Sequence, residues 1–109
     1  MFILTILFTI SGLVLAGISV PLILGKIPPN GLYGFRVKKT MENPAIWYPV
    51  NVYSGKWLLV AGLCTVSAAI GFAFIPGITI DVYSYAVLLV WSIVFTIALA
   101  ATYRYMKSI

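Results

Sequence analysis

Histidine is absent, cysteine occurs once, as Cys64, and only two residues are acidic, Glu42 and Asp81. Each shortage removes a class of chemistry. A single thiol can neither close a disulfide within the chain nor build a cysteine zinc site. Cys64 lies in an apolar stretch, where a lone thiol acts as a small packing residue. Without histidine there is no His–nucleophile set. The two carboxylates fall on opposite sides of the membrane in the topology derived below, so they cannot work as an acid–base pair. There is no phosphate-cradling loop and no dinucleotide fingerprint. We expect no enzyme activity, no metal and no cofactor.

Charge is also scarce. Charged residues make up 8% of the chain and hydrophobic residues 62%, whereas soluble domains carry about one quarter charged residues. A soluble fold of 109 residues could not bury so much apolar surface. A bilayer makes that burial unnecessary. The chain is therefore expected to be one all-α integral membrane domain over residues 1–109. The net charge is +5, but the basic residues are few and flank apolar runs. They read as determinants of topology and lipid contact rather than as a nucleic-acid surface.

Three runs are long enough to span. The first, about 1–25, has no charged side chain, and its apolar run is too long for a usual signal peptide. Pro21 is expected to bend it near its exit. The second covers about 57–75 and stops at Pro76-Gly77. The third covers about 82–103. Small residues recur at four-residue spacing as Gly12/Ala16, Ser67/Gly71 and Ser92/Thr96/Ala100, a weak signal for close helix approach. Trp47, Tyr48, Tyr53, Trp57, Tyr83, Tyr85, Tyr103 and Tyr105 lie near span ends, as aromatic belts do.

Three spans put the 26–56 loop and the C-terminus on one side. That side then holds every basic residue: Lys26, Arg36, Lys38, Lys39, Lys56, Arg104 and Lys107. The positive-inside rule places it in the cytoplasm and the N-terminus outside, for a multi-pass protein of the plasma membrane. No ionisable residue lies at mid-depth in a span, which argues against a coupled transporter or pump.

The 26–56 loop is the polar part of the chain. Pro28-Pro29-Asn30-Gly31 is a stop-and-turn signal. Asn43-Pro44 is a helix start, with Asn as N-cap and Pro at N1, and the helix is expected to run into the second span with an interfacial portion in the loop. Gly31 and Gly34 permit backbone shapes or close approaches closed to other residues. Arg36 offers a planar fork suited to carboxylate or phosphate. Trp47, Asn51 and Gly55 follow at four-residue intervals and share one helix face. Glu42 is placed to pair with Arg36 or Lys39.

The spaced residues Asn30, Gly34, Arg36, Thr40, Trp47 and Asn51, read as N-x3-G-x-R-x3-T-x6-W-x3-N, resemble the SdpI family of small bacterial membrane proteins. The resemblance runs from about Pro28 to Ile75; the outer spans match it only in being apolar. It implies a polytopic helical domain. The family's namesake is an immunity protein against a secreted peptide toxin and also holds a transcriptional repressor at the membrane. The namesake has further spans before this domain, which this chain is expected to lack. The resemblance makes the six residues candidates for a binding or structural motif. The expected function is membrane binding, in immunity or signalling, of a peptide, lipid headgroup or protein by the 26–56 loop. The alternatives are an accessory subunit of a larger membrane complex and, more weakly, a small transporter formed by oligomers. Expected partners are membrane lipids, a peptide or membrane protein, and further copies of the chain.

Overall fold

A computed structural model describes all of residues 1–109. Four helices follow in order: α1 over Phe2–Ile23, α2 over Lys38–Glu42, α3 over Pro44–Ala73 and α4 over Ile80–Ser108. Helices α1, α3 and α4 are each long and apolar enough to cross a membrane. The fold is three membrane-spanning helices with a short helix and loop between α1 and α3.

Local signals set the helix ends. At the end of α1 the Lys26 N–H donates to the Pro21 carbonyl at 3.0 Å and the Gly25 N–H to the Leu22 carbonyl at 3.1 Å. This Schellman closure requires a left-handed residue, and Gly25 supplies it at φ +70°. Asn43 caps α3 by accepting the Ala45 N–H at 3.0 Å, with Pro44 at the first helical position. Thr79 caps α4 by accepting the Val82 N–H at 3.2 Å, and Asp81 in the first turn complements the helix dipole.

Helix α3 runs unbroken through Pro49 for 30 residues, about 45 Å at 1.5 Å per residue. That exceeds the ~30 Å apolar core of a bilayer. Its first turns continue beyond the end of α1, because Gly55 is the residue that meets Leu22 and Ile23. The loop from Leu24 to Asn43 folds back onto this overhang.

The core is the inner side of α3, against which both α1 and α4 pack. Its contact residues are small: Ala61, Gly62, Thr65, Ala68 and Ala69 are buried. A Cβ on Gly62 would lie 2.6 Å from the Gly12 carbonyl oxygen and 2.8 Å from the Ala16 nitrogen. The backbones of α1 and α3 therefore touch there, and dispersion between close-packed surfaces replaces the hydrophobic effect that lipid removes. Of the spaced small residues, Gly12 and Ala16 serve this crossing, whereas Ser67, Gly71, Ser92, Thr96 and Ala100 face outward.

Two aromatic residues depart from the expected interfacial belt. Tyr83 is fully buried; its hydroxyl donates to the Ala69 carbonyl at 2.7 Å and its ring meets Phe8 edge-on at 6.0 Å. Trp47 is also fully buried, in the loop assembly. Tyr53, Tyr85, Tyr103 and Tyr105 remain at least partly exposed.

Candidate functional site

The loop is organised by side chains that satisfy backbone groups, as a segment without regular ladders must be. Asn30 holds its first turn. The Asn30 amide nitrogen donates to the Pro28 carbonyl at 2.7 Å, while its side-chain oxygen accepts the N–H groups of Leu32 at 2.8 Å and Tyr33 at 3.0 Å. This is the Asx geometry that makes asparagine a turn residue.

Gly34 then brings the chain onto α3. Its φ is +117°, a region closed to most side chains. A Cβ there would lie 2.8 Å from Asn51 Oδ1 and 2.9 Å from Trp47 Cη2. Glycine is needed for both the backbone shape and the contact. Directly after it, the Phe35 N–H donates to Asn51 Oδ1. Asn51 donates in turn to the Trp47 carbonyl at 3.0 Å, one helical turn back. The Trp47 indole N–H donates to the Ile27 carbonyl at 2.8 Å, tying down the start of the loop.

Thr40 closes the other end. Its hydroxyl accepts the Val37 N–H at 3.0 Å and lies 2.8 Å from the Phe35 carbonyl and 2.9 Å from the Val37 carbonyl, so its single proton serves that pair. The first of these contacts is the reach-back half of a capping box at the start of α2. Lys39, the residue before Thr40, donates to the Met106 carbonyl in the last turn of α4 at 3.0 Å. A cation at a helix C-terminus is favourable. Lys39 thus binds a helix end rather than Glu42, which is exposed.

Of the six motif residues, Gly34, Trp47 and Asn51 meet at this loop–helix junction, and Asn30 and Thr40 order the loop on either side of it. Thr40 and Trp47 are fully buried and Asn51 is 2% exposed. No buried side-chain polar atom in the chain lacks a partner. Arg36 differs: it is exposed, and the loop's hydrogen bonds do not involve its guanidinium. Leu32, earlier in the loop, is 90% exposed.

A model of the SdpI/YfhL protein family matches residues 26–103, which take in α2, all of α3 and α4 as far as Tyr103. The chain belongs to this family. Proteins of the SdpI/YfhL family are not known as enzymes. Comparison with curated proteins and with solved structures gives no match.

Sequence reasoning had no means of finding two features of this SdpI-family loop. One is the use of Ile27, Phe35 and Val37 through their backbones, which leaves no mark on residue type. The other is a cleft of about 160 Å³ beneath the loop, bordered by Tyr33, Gly34 and Phe35 above and by Ile18, Leu58 and Leu99 from the three long helices. It is apolar and partly enclosed, with room for a single side chain rather than for a whole small-molecule ligand.

Proposed function

We propose that this SdpI-family chain is a membrane binding protein whose 26–56 loop recognises a peptide segment at the cytoplasmic face of the plasma membrane. The observation that carries the reading is the division of labour within the motif. Asn30 and Thr40 spend their hydrogen-bonding capacity ordering the loop, Trp47 and Asn51 tie it to α3 and Gly34 makes that contact possible, while Arg36 and Leu32 are exposed and outside this network. Such a frame fixes the backbone on both sides of Arg36, which lowers the part of the entropic cost of binding that comes from ordering the loop. The fork of Arg36 suits a carboxylate of the peptide, and the cleft suits an apolar side chain. Immunity against a membrane-active peptide toxin is the role in which this geometry would act. Support for the orientation comes from the gathering of all seven basic residues at the loop end.

The test is protection of a toxin-sensitive host by wild type, Arg36→Ala and Leu32→Ser. Wild type is expected to protect and both variants to lose protection with their loops intact by hydrogen exchange. The reading fails if Arg36→Ala protects as well as wild type, or if wild type neither protects nor retains a peptide on purification.

A second reading, an accessory subunit of a larger membrane complex, is favoured by one observation. Ser92, Thr96 and Ala100 form an exposed small-residue run on α4, and such runs permit close approach of another helix. Purification in mild detergent at native expression separates the two readings, since an accessory subunit carries a stoichiometric partner.

A further inference from the structure

Where the loop meets the end of α4, three lysines converge. Lys38 and Lys39 come from α2, Lys107 from the last turn of α4, and all three border an open recess of about 450 Å³ whose other lining residues are Val37, Tyr103 and Met106. No acidic residue borders it. Like charges gathered without a counter-charge repel one another, and an anion relieves that repulsion.

The lysines are not free tethers. Thr40 fixes α2, which carries Lys38 and Lys39. Lys39 Nζ is held by the Met106 carbonyl at 3.0 Å and keeps two further donors, since an ammonium has three. Lys107 Nζ sits 5.2 Å from the centre of the Tyr103 ring, within the range of a cation–π contact. Two of the three ammonium groups are therefore oriented before any anion arrives.

The surroundings identify the anion's source. Leu99, Tyr103 and Lys107 follow at four-residue intervals on α4 and are all exposed, so they form one row on the helix surface. The row passes from an apolar residue of the span, through a tyrosine of the kind found at the membrane–water boundary, to the lysine at the recess. A phospholipid has the same order: acyl chain, glycerol, phosphate.

We propose that this recess binds the phosphate headgroup of an anionic phospholipid, with an acyl chain lying along Tyr103 and Leu99. The lipid bridges α2 to α4, across the contact that Lys39 makes with Met106. It thereby couples the position of the loop to the composition of the surrounding leaflet. The site is separate from the outward face of Arg36 and does not depend on the function proposed above.

The experiment is native mass spectrometry of the detergent-purified chain titrated with dioleoyl phosphatidylglycerol or dioleoyl phosphatidylcholine. Wild type is expected to retain the anionic lipid in preference to the zwitterionic one. The double variant Lys38→Gln/Lys107→Gln removes two exposed lysines and is expected to weaken phosphatidylglycerol retention about thirtyfold, from the usual effect of each lysine near an anionic surface. Lys26→Gln/Lys56→Gln loses the same charge elsewhere and is expected to retain the lipid as wild type does. Equal retention by wild type and the recess variant overturns the proposal. So does an equal loss in both double variants, which would mark a diffuse charge effect, and so does equal retention of the two lipids by wild type.

Discussion

Replacing Gly34 with alanine should release the loop from α3 without separating the three long helices. Two costs arise at the same atom. The backbone at φ +117° is one that an L side chain adopts only with strain, about 1–3 kcal/mol. The new methyl would also stand 2.8 Å from Asn51 Oδ1 and 2.9 Å from Trp47 Cη2. Neither neighbour is the loose end of a flexible side chain. Trp47 is fully buried and held by Ile27, and Asn51 is held by Phe35 and by the Trp47 carbonyl. Moving Asn51 strands the Phe35 N–H, at about 1–3 kcal/mol for an unsatisfied buried donor. The combined cost is about 4 kcal/mol, or roughly a thousandfold in the opening equilibrium of the loop.

Amide hydrogen exchange in detergent micelles reads this directly. The Phe35 and Val37 amides are bonded only to side chains of the junction, so their protection measures loop closure. In Gly34→Ala their exchange should rise by roughly three decades, or to the unprotected rate if closure is weaker than the cost. Helix content by circular dichroism should stay unchanged. Gly31→Ala is the internal control, because its φ is not positive and no atom lies within 4 Å of the added Cβ. It should be neutral to within about 1 kcal/mol. Exchange of Phe35 within threefold of wild type in Gly34→Ala would refute the reasoning, as would equal effects of the two substitutions.

Two further expectations concern the helix bundle, each checked by unfolding in mixed micelles of increasing dodecyl sulfate. Gly62→Leu drives a side chain into the backbone of α1, which cannot yield locally, and should destabilise by about 1–3 kcal/mol; Gly71→Leu, with open space around it, should not. Tyr83→Phe keeps the ring against Phe8 but loses the hydroxyl bond to Ala69, and should cost about 0.6–1.7 kcal/mol; no change would mean that the hydroxyl bond adds nothing net.

The long helices were legible because lipid imposes a simple rule. An apolar run of sufficient length must satisfy its own backbone, so α1, the apolar part of α3 and α4 follow from hydropathy. The start of α3 was legible for a local reason, the cap and first-turn chemistry of Asn43-Pro44. Direction was harder to read. Trp47 and Tyr83 have the residue types of an interfacial belt, yet both point inward, because what receives them lies far off in the sequence: the Gly34 crossing for Trp47, the Phe8 ring and the Ala69 carbonyl for Tyr83. Gly31 and Gly34 look equivalent in a polar loop. Only the path of the chain over Asn51 makes one indispensable and the other replaceable. Gly12 and Ala16 suggested a close crossing, but small residues are so common in spans that their partner, Gly62, did not stand out.

The same logic bears on what the motif residues do. A polar group buried beside a membrane must find a partner inside the protein, and Asn51, Thr40 and the Trp47 indole have done so within the loop. Their residue types are explained by folding: an amide that both donates and accepts at Asn51, a hydroxyl that does the same at Thr40, a ring with a single N–H at Trp47. Arg36 has no such explanation. Its guanidinium is exposed, and the loop closes without it. The frame around it nevertheless fixes the residue on each side, Phe35 through its N–H and Val37 through Thr40. A side chain that the fold does not use, set on a backbone that the fold holds on both sides, is where a substitution can separate recognition from stability. Arg36→Ala should leave loop exchange at wild-type values, whereas Asn51→Ala disturbs the junction itself.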